Sequence, residues 1–115
     1  DVYKRQVRIV DDKPTVIEET YMPIDLINGL KLEHVESSIY DYIESGLGLK
    51  IQSGHRTITV RRATDMEAEY LDLEKGDPVA IAVQTGYLST GAVFEYSIST
   101  HRYDEFSVEI VLTHN

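Results

Sequence analysis

The chain has 115 residues, 42% hydrophobic and 27% charged, which is enough for one domain with a modest core. Acids outnumber bases 20 to 11, and the net charge of −9 argues against this piece gripping DNA or RNA by itself, because phosphate binding needs a basic face. The sequence has no cysteine, which excludes disulfides and thiolate chemistry within it and suits a cytoplasmic location; no signal peptide is visible in it, and no apolar run approaches the roughly 18 residues of a membrane span.

The first six residues, DVYKRQ, look like the translation of a transposon adapter used in sequencing libraries. Residues 1–6 are therefore set aside as an artefact, and the domain is expected to occupy residues 7–115 of a chain that continues upstream. Residues 7–10 have the pattern of a strand end, DDKP that of a turn, and 15–22 that of a second strand closed by Pro23. IDLI suggests a helical turn. In SSIYDYIESGLG, Ser37 or Ser38 can cap a helix whose apolar face holds Ile39, Tyr42 and Ile43 and which Gly46 and Gly48 end. A long strand is expected over 51–63, with Ile58 and Val60 on one face. TDME is a capping box that starts a second helix, with Met66, Tyr70 and Leu73 expected to face inward. VAIAV is apolar throughout, as in a strand buried on both faces. STGA turns into the strand VFEYSISTHRY, and FSVEIVL is expected to be the last strand. The sum is an α+β domain: a mainly antiparallel sheet of five or six strands with two helices flanking one face.

Arg8 and Glu18 are the first candidates for chemistry. If Val10 pairs with Val16, Arg8 lies opposite Glu18, either as a cross-strand ion pair worth roughly 0.2–1 kcal/mol or as part of a charged pocket. Val16 and Met22 share the face of Glu18, and a charge in a semi-apolar site needs a partner in the protein or in a ligand. In VFEYSISTHRY, alternation puts Phe94, Tyr96 and Ile98 on one side and Glu95, Ser97, Ser99 and His101 on the other. That second side is either a solvated face or the wall of a pocket for a polyhydroxylated ligand. Glu95 and His101 would stand about 20 Å apart in a regular strand, at two ends of a sugar-sized site. Ser38 is either a plain cap or part of an anion site at a helix N-terminus.

Enzyme signatures are weak. The sequence has no nucleophile elbow and no phosphate loop. His34, His55, His101 and His114 are scattered, so no zinc site is expected. Glu18 and Glu19 are adjacent, so on a strand they point to opposite faces and make poor acid–base partners. Arg61 and Arg62 have the pattern of surface charge.

The order of signals resembles a known family. RIVDDKPxxxE, YMP, SIYDYI, ITVRRATDMEAEYL, GDPV and FEYSISTHRYDEF together are similar to the UTRA effector domain of GntR/HutC-family bacterial transcription regulators, over essentially all of 7–112. The resemblance implies a chorismate lyase-like fold and a non-enzymatic sensor that needs no cofactor. It implies a homodimer in which a winged helix-turn-helix domain, outside this chain, binds DNA while the UTRA domain binds a small effector such as a phosphosugar. Carried over by position, Arg8 and Ser38 would hold the phosphate, and Glu18 and Glu95 would engage the sugar. His101 stands where many members carry tyrosine. Gln6 holds the slot of a first arginine. Two alternatives remain open: a lyase-like enzyme acting on a small carboxylate, and a degenerate domain kept for dimerisation.

Overall fold

The computed structural model describes residues 2–23, 44 and 50–114. Five strands form one antiparallel sheet: β1 (Val2–Val10), β2 (Lys13–Met22), β3 (Ile51–Arg62), β4 (Pro78–Leu88) and β5 (Val93–Arg102), in the spatial order β1-β2-β5-β4-β3. The single described α-helix, α1 (Asp65–Leu71), joins β3 to β4. A 3₁₀ turn, Tyr103–Glu105, follows β5. The expected helix around Ser38 and the IDLI turn lie outside the described residues.

The β1–β2 hairpin turns on Asp11 and Asp12, both at positive φ (52° and 63°). That is the geometry of a two-residue turn matched to strand twist, and aspartate tolerates it better than most residues. The turn is therefore tighter than the expected DDKP, and Lys13 and Pro14 already belong to β2. A register shift follows: Ile9 pairs with Pro14, but Arg8 pairs with Val16. Thr15 is the extra residue, and its hydroxyl donates to the Arg8 carbonyl at 3.2 Å. The expected pairing of Val10 with Val16 is thus corrected to Val10 with Lys13, and Arg8 stands two pairs away from Glu18 rather than opposite it. Val2 to Gln6, set aside above, pair in register with Met22 to Glu18.

Helix α1 covers one face of the sheet. Leu71, fully buried, packs with Ile17, Val79 and Ile81, and Val7, Leu73, Val83 and Ile98 close around them. The inward face of α1 is Glu67, Ala68 and Leu71. The expected inward residues Met66 and Tyr70 are instead 45% and 42% exposed. They lie beside β1, where the Arg5 guanidinium sits over the Tyr70 ring and reaches the Met66 sulfur.

Polar contacts fix both ends of α1. Thr64 and Glu67 complete the capping box. Glu67 also takes both arms of Arg61, at 2.7 and 2.9 Å. At the other end the buried Arg102 donates to the Leu71 and Asp72 carbonyls, satisfying helix-end acceptors, while Asp104 holds the guanidinium from behind. The last expected strand does not form. Residues 106–112 are in no strand, and Ile110, Val111 and Leu112 are 73–89% exposed.

Candidate functional site

The opposite face of the sheet carries the polar residues singled out by the sequence. The pairing places them in rows across the strands. One row runs from Arg8 through Val16 and His101 to Ala80; the next from Gln6 through Glu18 and Ser99 to Ala82; a third from Thr20 through Ser97 and Gln84 to Arg56. Arg8 thus stands on β1 at one side of this face and Arg56 on β3 at the other, and the small Ala80 and Ala82 lie on β4 beside His101 and Ser99.

Arg8 reaches diagonally to Glu18, with Nε donating to Oε1 at 2.8 Å and Nη2 to Oε2 at 3.3 Å. This fork suits a carboxylate and would suit a phosphate equally. The Arg8 side chain is 47% exposed and that of Glu18 23%. Glu19 points to the other face, where it accepts from the Tyr3 hydroxyl at 3.0 Å, so the two adjacent carboxylates separate as strand geometry requires.

His101 sits at the centre of the polar face. Its Nε2 lies 3.0 Å from the Ser99 hydroxyl, and the Phe106 ring packs against the imidazole. Burial pushes its pKa below 6.5, the positive field of Arg56 lowers it further, and the Glu18 carboxylate opposes both. The neutral ring at pH 7 offers one donor and one acceptor.

Glu95 is buried opposite Gly86, at the far end of the same face. A second register shift, between Gly86 and Tyr87, leaves Phe94 outside the ladder and breaks the expected alternation with Tyr96. The Phe94 ring lies against Gly86, where a Cβ would come within 2.7 Å of it. Only glycine lets that ring lie so close to the sheet.

The structure therefore brings Arg8, Glu18, Glu95 and His101 to one face, and Ser38 lies outside the described residues. The sequence reading missed Arg56 and Gln84. Arg56 donates twice to the Gln84 side-chain oxygen, at 3.0 and 2.7 Å, so its charge meets a neutral dipole there rather than a carboxylate. Arg61 is tied to Glu67 on the helix side and takes no part in this face. Among the described residues, no group of His, Asp and Glu could hold a metal ion. No helix among them is long and apolar enough to cross a membrane.

A family model described as the UTRA domain matches residues 2–107. The chain belongs to the UTRA family. Its curated relatives include the HTH-type transcriptional regulator GmuR of Bacillus subtilis, 39% identical over 109 residues, which are 95% of this chain and 46% of that protein. The HTH-type transcriptional repressor NagR of the same organism is 35% identical, over 89% of this chain and 42% of that one. This UTRA domain thus spans somewhat under half the length of these relatives. Among solved structures, a GntR-family transcriptional regulator from Bacillus cereus superposes with a TM-score of 0.86 at 36% identity, covering 95% of this chain and 76% of that one. The effector binding domain of the B. subtilis trehalose repressor superposes with a TM-score of 0.81 at 29% identity, covering 96% and 77%. These relatives are transcriptional regulators, repressors among them, and not enzymes. The chain is the UTRA, effector-binding portion of a GntR/HutC-type regulator.

Proposed function

We propose that this UTRA domain senses a phosphosugar and passes its presence, through a homodimer, to a DNA-binding winged-helix domain outside this chain. The supporting observation is the polar face itself. A half-exposed bidentate guanidinium, Arg8, shares a face with a carboxylate, hydroxyls and a neutral imidazole. In this reading Arg8 takes the phosphate together with Ser38, and Glu18 and Glu95 accept hydrogen bonds from sugar hydroxyls. His101 and Ser99 supply further polar contacts. The Arg8–Glu18 pair holds the guanidinium in place when the site is empty and yields to ligand when it fills. The sugar class is consistent with relatives whose names refer to a trehalose repressor and to a mannosyl-D-glycerate transport and metabolism repressor. A chorismate lyase-like fold and a cytoplasmic location go with this reading. Coupling to DNA then requires only that the ligand bind one dimer arrangement more tightly than the other.

Calorimetry against paired phosphorylated and unphosphorylated sugars tests the reading. A phosphosugar is expected to bind and its neutral counterpart to bind at least tenfold more weakly. Arg8→Ala is expected to abolish the difference. The variant should remain folded, because a partly exposed ion pair contributes only about 0.2–1 kcal/mol. Equal affinity of Arg8→Ala and the parent for the phosphosugar would refute the assignment.

A further inference from the structure

We propose that Phe106 is a positioning residue of the polar face: it packs on the His101 imidazole from outside the sheet and holds it turned to Ser99. On the strands beside it His101 pairs with Val16 and Ala80, neither of which offers a polar side chain. Its hydrogen bond runs instead to the Ser99 hydroxyl, two residues back on its own strand, at 3.0 Å. A ring with one polar contact keeps much of its rotamer freedom, and a second contact removes it. Phe106 supplies that contact. Its half-buried ring lies with its centroid 4.8 Å from that of the imidazole, tilted by 53°, within the range of favourable ring pairs.

The turn between the two rings is fastened from the other side of the sheet. His101 faces the polar side, while Arg102, next in the strand and opposite Val79 of the core, faces the helix side. Its guanidinium donates to the Leu71 and Asp72 carbonyls and, at 3.0 and 3.1 Å, to both oxygens of Asp104. Lys13 of β2 stands 3.5 Å from Asp104 and 3.5 Å from Glu105. The 3₁₀ turn Tyr103–Glu105 is thereby held, and it delivers Phe106 to the imidazole. The HRYDEF run, matched to the family in sequence, so divides its work: His101 serves the face, Arg102 and Asp104 lock the turn, and Phe106 returns to His101. The charges that act on the imidazole are Glu18 from β2 and Arg56 from β3, with opposite signs, and Arg8 on β1 is held by Glu18. Burial is the larger influence and keeps the ring mainly neutral at pH 7, and Phe106 contributes to that burial. A neutral ring fixed in direction presents one donor and one acceptor at known places, with no ordering left to do when a hydroxyl arrives. That use rests on the reading of this face as the effector site, whereas the ring contact itself does not.

NMR of the 115-residue chain without any sugar tests it, so a failed sugar titration and a failed ring contact are told apart. The parent is expected to show cross-relaxation between the Phe106 ring protons and the His101 imidazole protons. Its two imidazole nitrogens should have the well-separated ¹⁵N shifts of a single tautomer at pH 7. Phe106→Ala is expected to raise the His101 pKa by roughly half a pH unit, toward the ordinary 6.5, as water reaches the ring. The same variant should draw the two nitrogen shifts together as the tautomers mix. Phe106→Leu, which restores apolar cover, should return most of both effects. Phe106 lies in no described strand or helix, so the circular dichroism of all three proteins should agree. Should the alanine variant unfold, the parent's cross-peaks and the leucine variant still decide. Absent cross-peaks in the folded parent, a His101 pKa or nitrogen shifts unmoved by Phe106→Ala, or a leucine variant whose His101 titrates at or above 6.5 would each overturn the proposal.

Discussion

The two faces of the sheet use the same residue types to different ends. On the helix face, Arg61 and Arg102 bind Glu67, Asp104 and the carbonyls at the end of α1. Each cation there is answered by acceptors that it also positions, so charge serves as a fastening for the helix. On the polar face, Arg8 meets the part-exposed carboxylate of Glu18, and Arg56 meets the neutral amide of Gln84. Charge that fastens an element is saturated by that element.

The largest effect that separates the faces is expected at Leu71, which is fully buried between α1 and the sheet. Leu71→Ala should cost about 2–5 kcal/mol in urea unfolding, by lost transfer energy and an unfilled cavity. A cost under about 1 kcal/mol would mean that α1 does not anchor this core.

Next in size is the fastening itself. Glu67 both caps α1 and holds Arg61, and Glu67→Ala should cost about 1–2 kcal/mol at pH 7. Its pH dependence sharpens the comparison. Arg61, above all, holds the folded Glu67 pKa below the ordinary 4.5, so its contribution is complete above that value and disappears as pH falls through the lowered one. Asp104, lowered from 3.8 to about 2 chiefly by Arg102, follows the same sign. The stability gap between parent and Glu67→Ala should therefore be constant from pH 7 to about 5 and close below about 4.5. A gap that widens on acidification would contradict the assigned ion pair.

The helix face was largely legible in the sequence, because its signals are local. The TDME capping box and the apolar VAIAV strand act within a few residues, and both formed, while the DDKP turn tightened to its two aspartates. The inward residues of α1 were misassigned because seven residues give too few turns for periodicity to decide, and the Arg5 side chain covers Met66 and Tyr70 from another strand. The polar face was legible only in part. Alternation grouped Ser97, Ser99 and His101 correctly, but the bulge at Thr15 moved Arg8 off its expected partner, and the shift at Gly86 moved Phe94. Arg56 escaped because nothing near it in sequence marks it. Its place beside Gln84 exists only once β3 pairs with β4. The strand expected over 106–112 has the right pattern, but a pattern states what a segment can pair as, not where an edge awaits it.

The smallest and most discriminating effect concerns His101. Two charges of opposite sign act on it from two sides, Glu18 on β2 and Arg56 on β3, over a lowering set mainly by burial. Because the folded pKa lies below 6.5, the ring is mainly neutral at pH 7, and folding loses stability as pH falls from 6.5 through that lowered value. Proton NMR titration should show Arg56→Gln raising the His101 pKa and Glu18→Gln lowering it further. The displacements should be a few tenths of a unit, as expected for partly screened charges. Opposite signs would show that both charges converge on one imidazole, so that a ligand bound at either would be felt at the centre of the face. If Arg56→Gln also lowered the pKa, Arg56 would stand elsewhere in solution and the polar face would lose its second guanidinium; if Glu18→Gln raised it, the carboxylate would be the misplaced group.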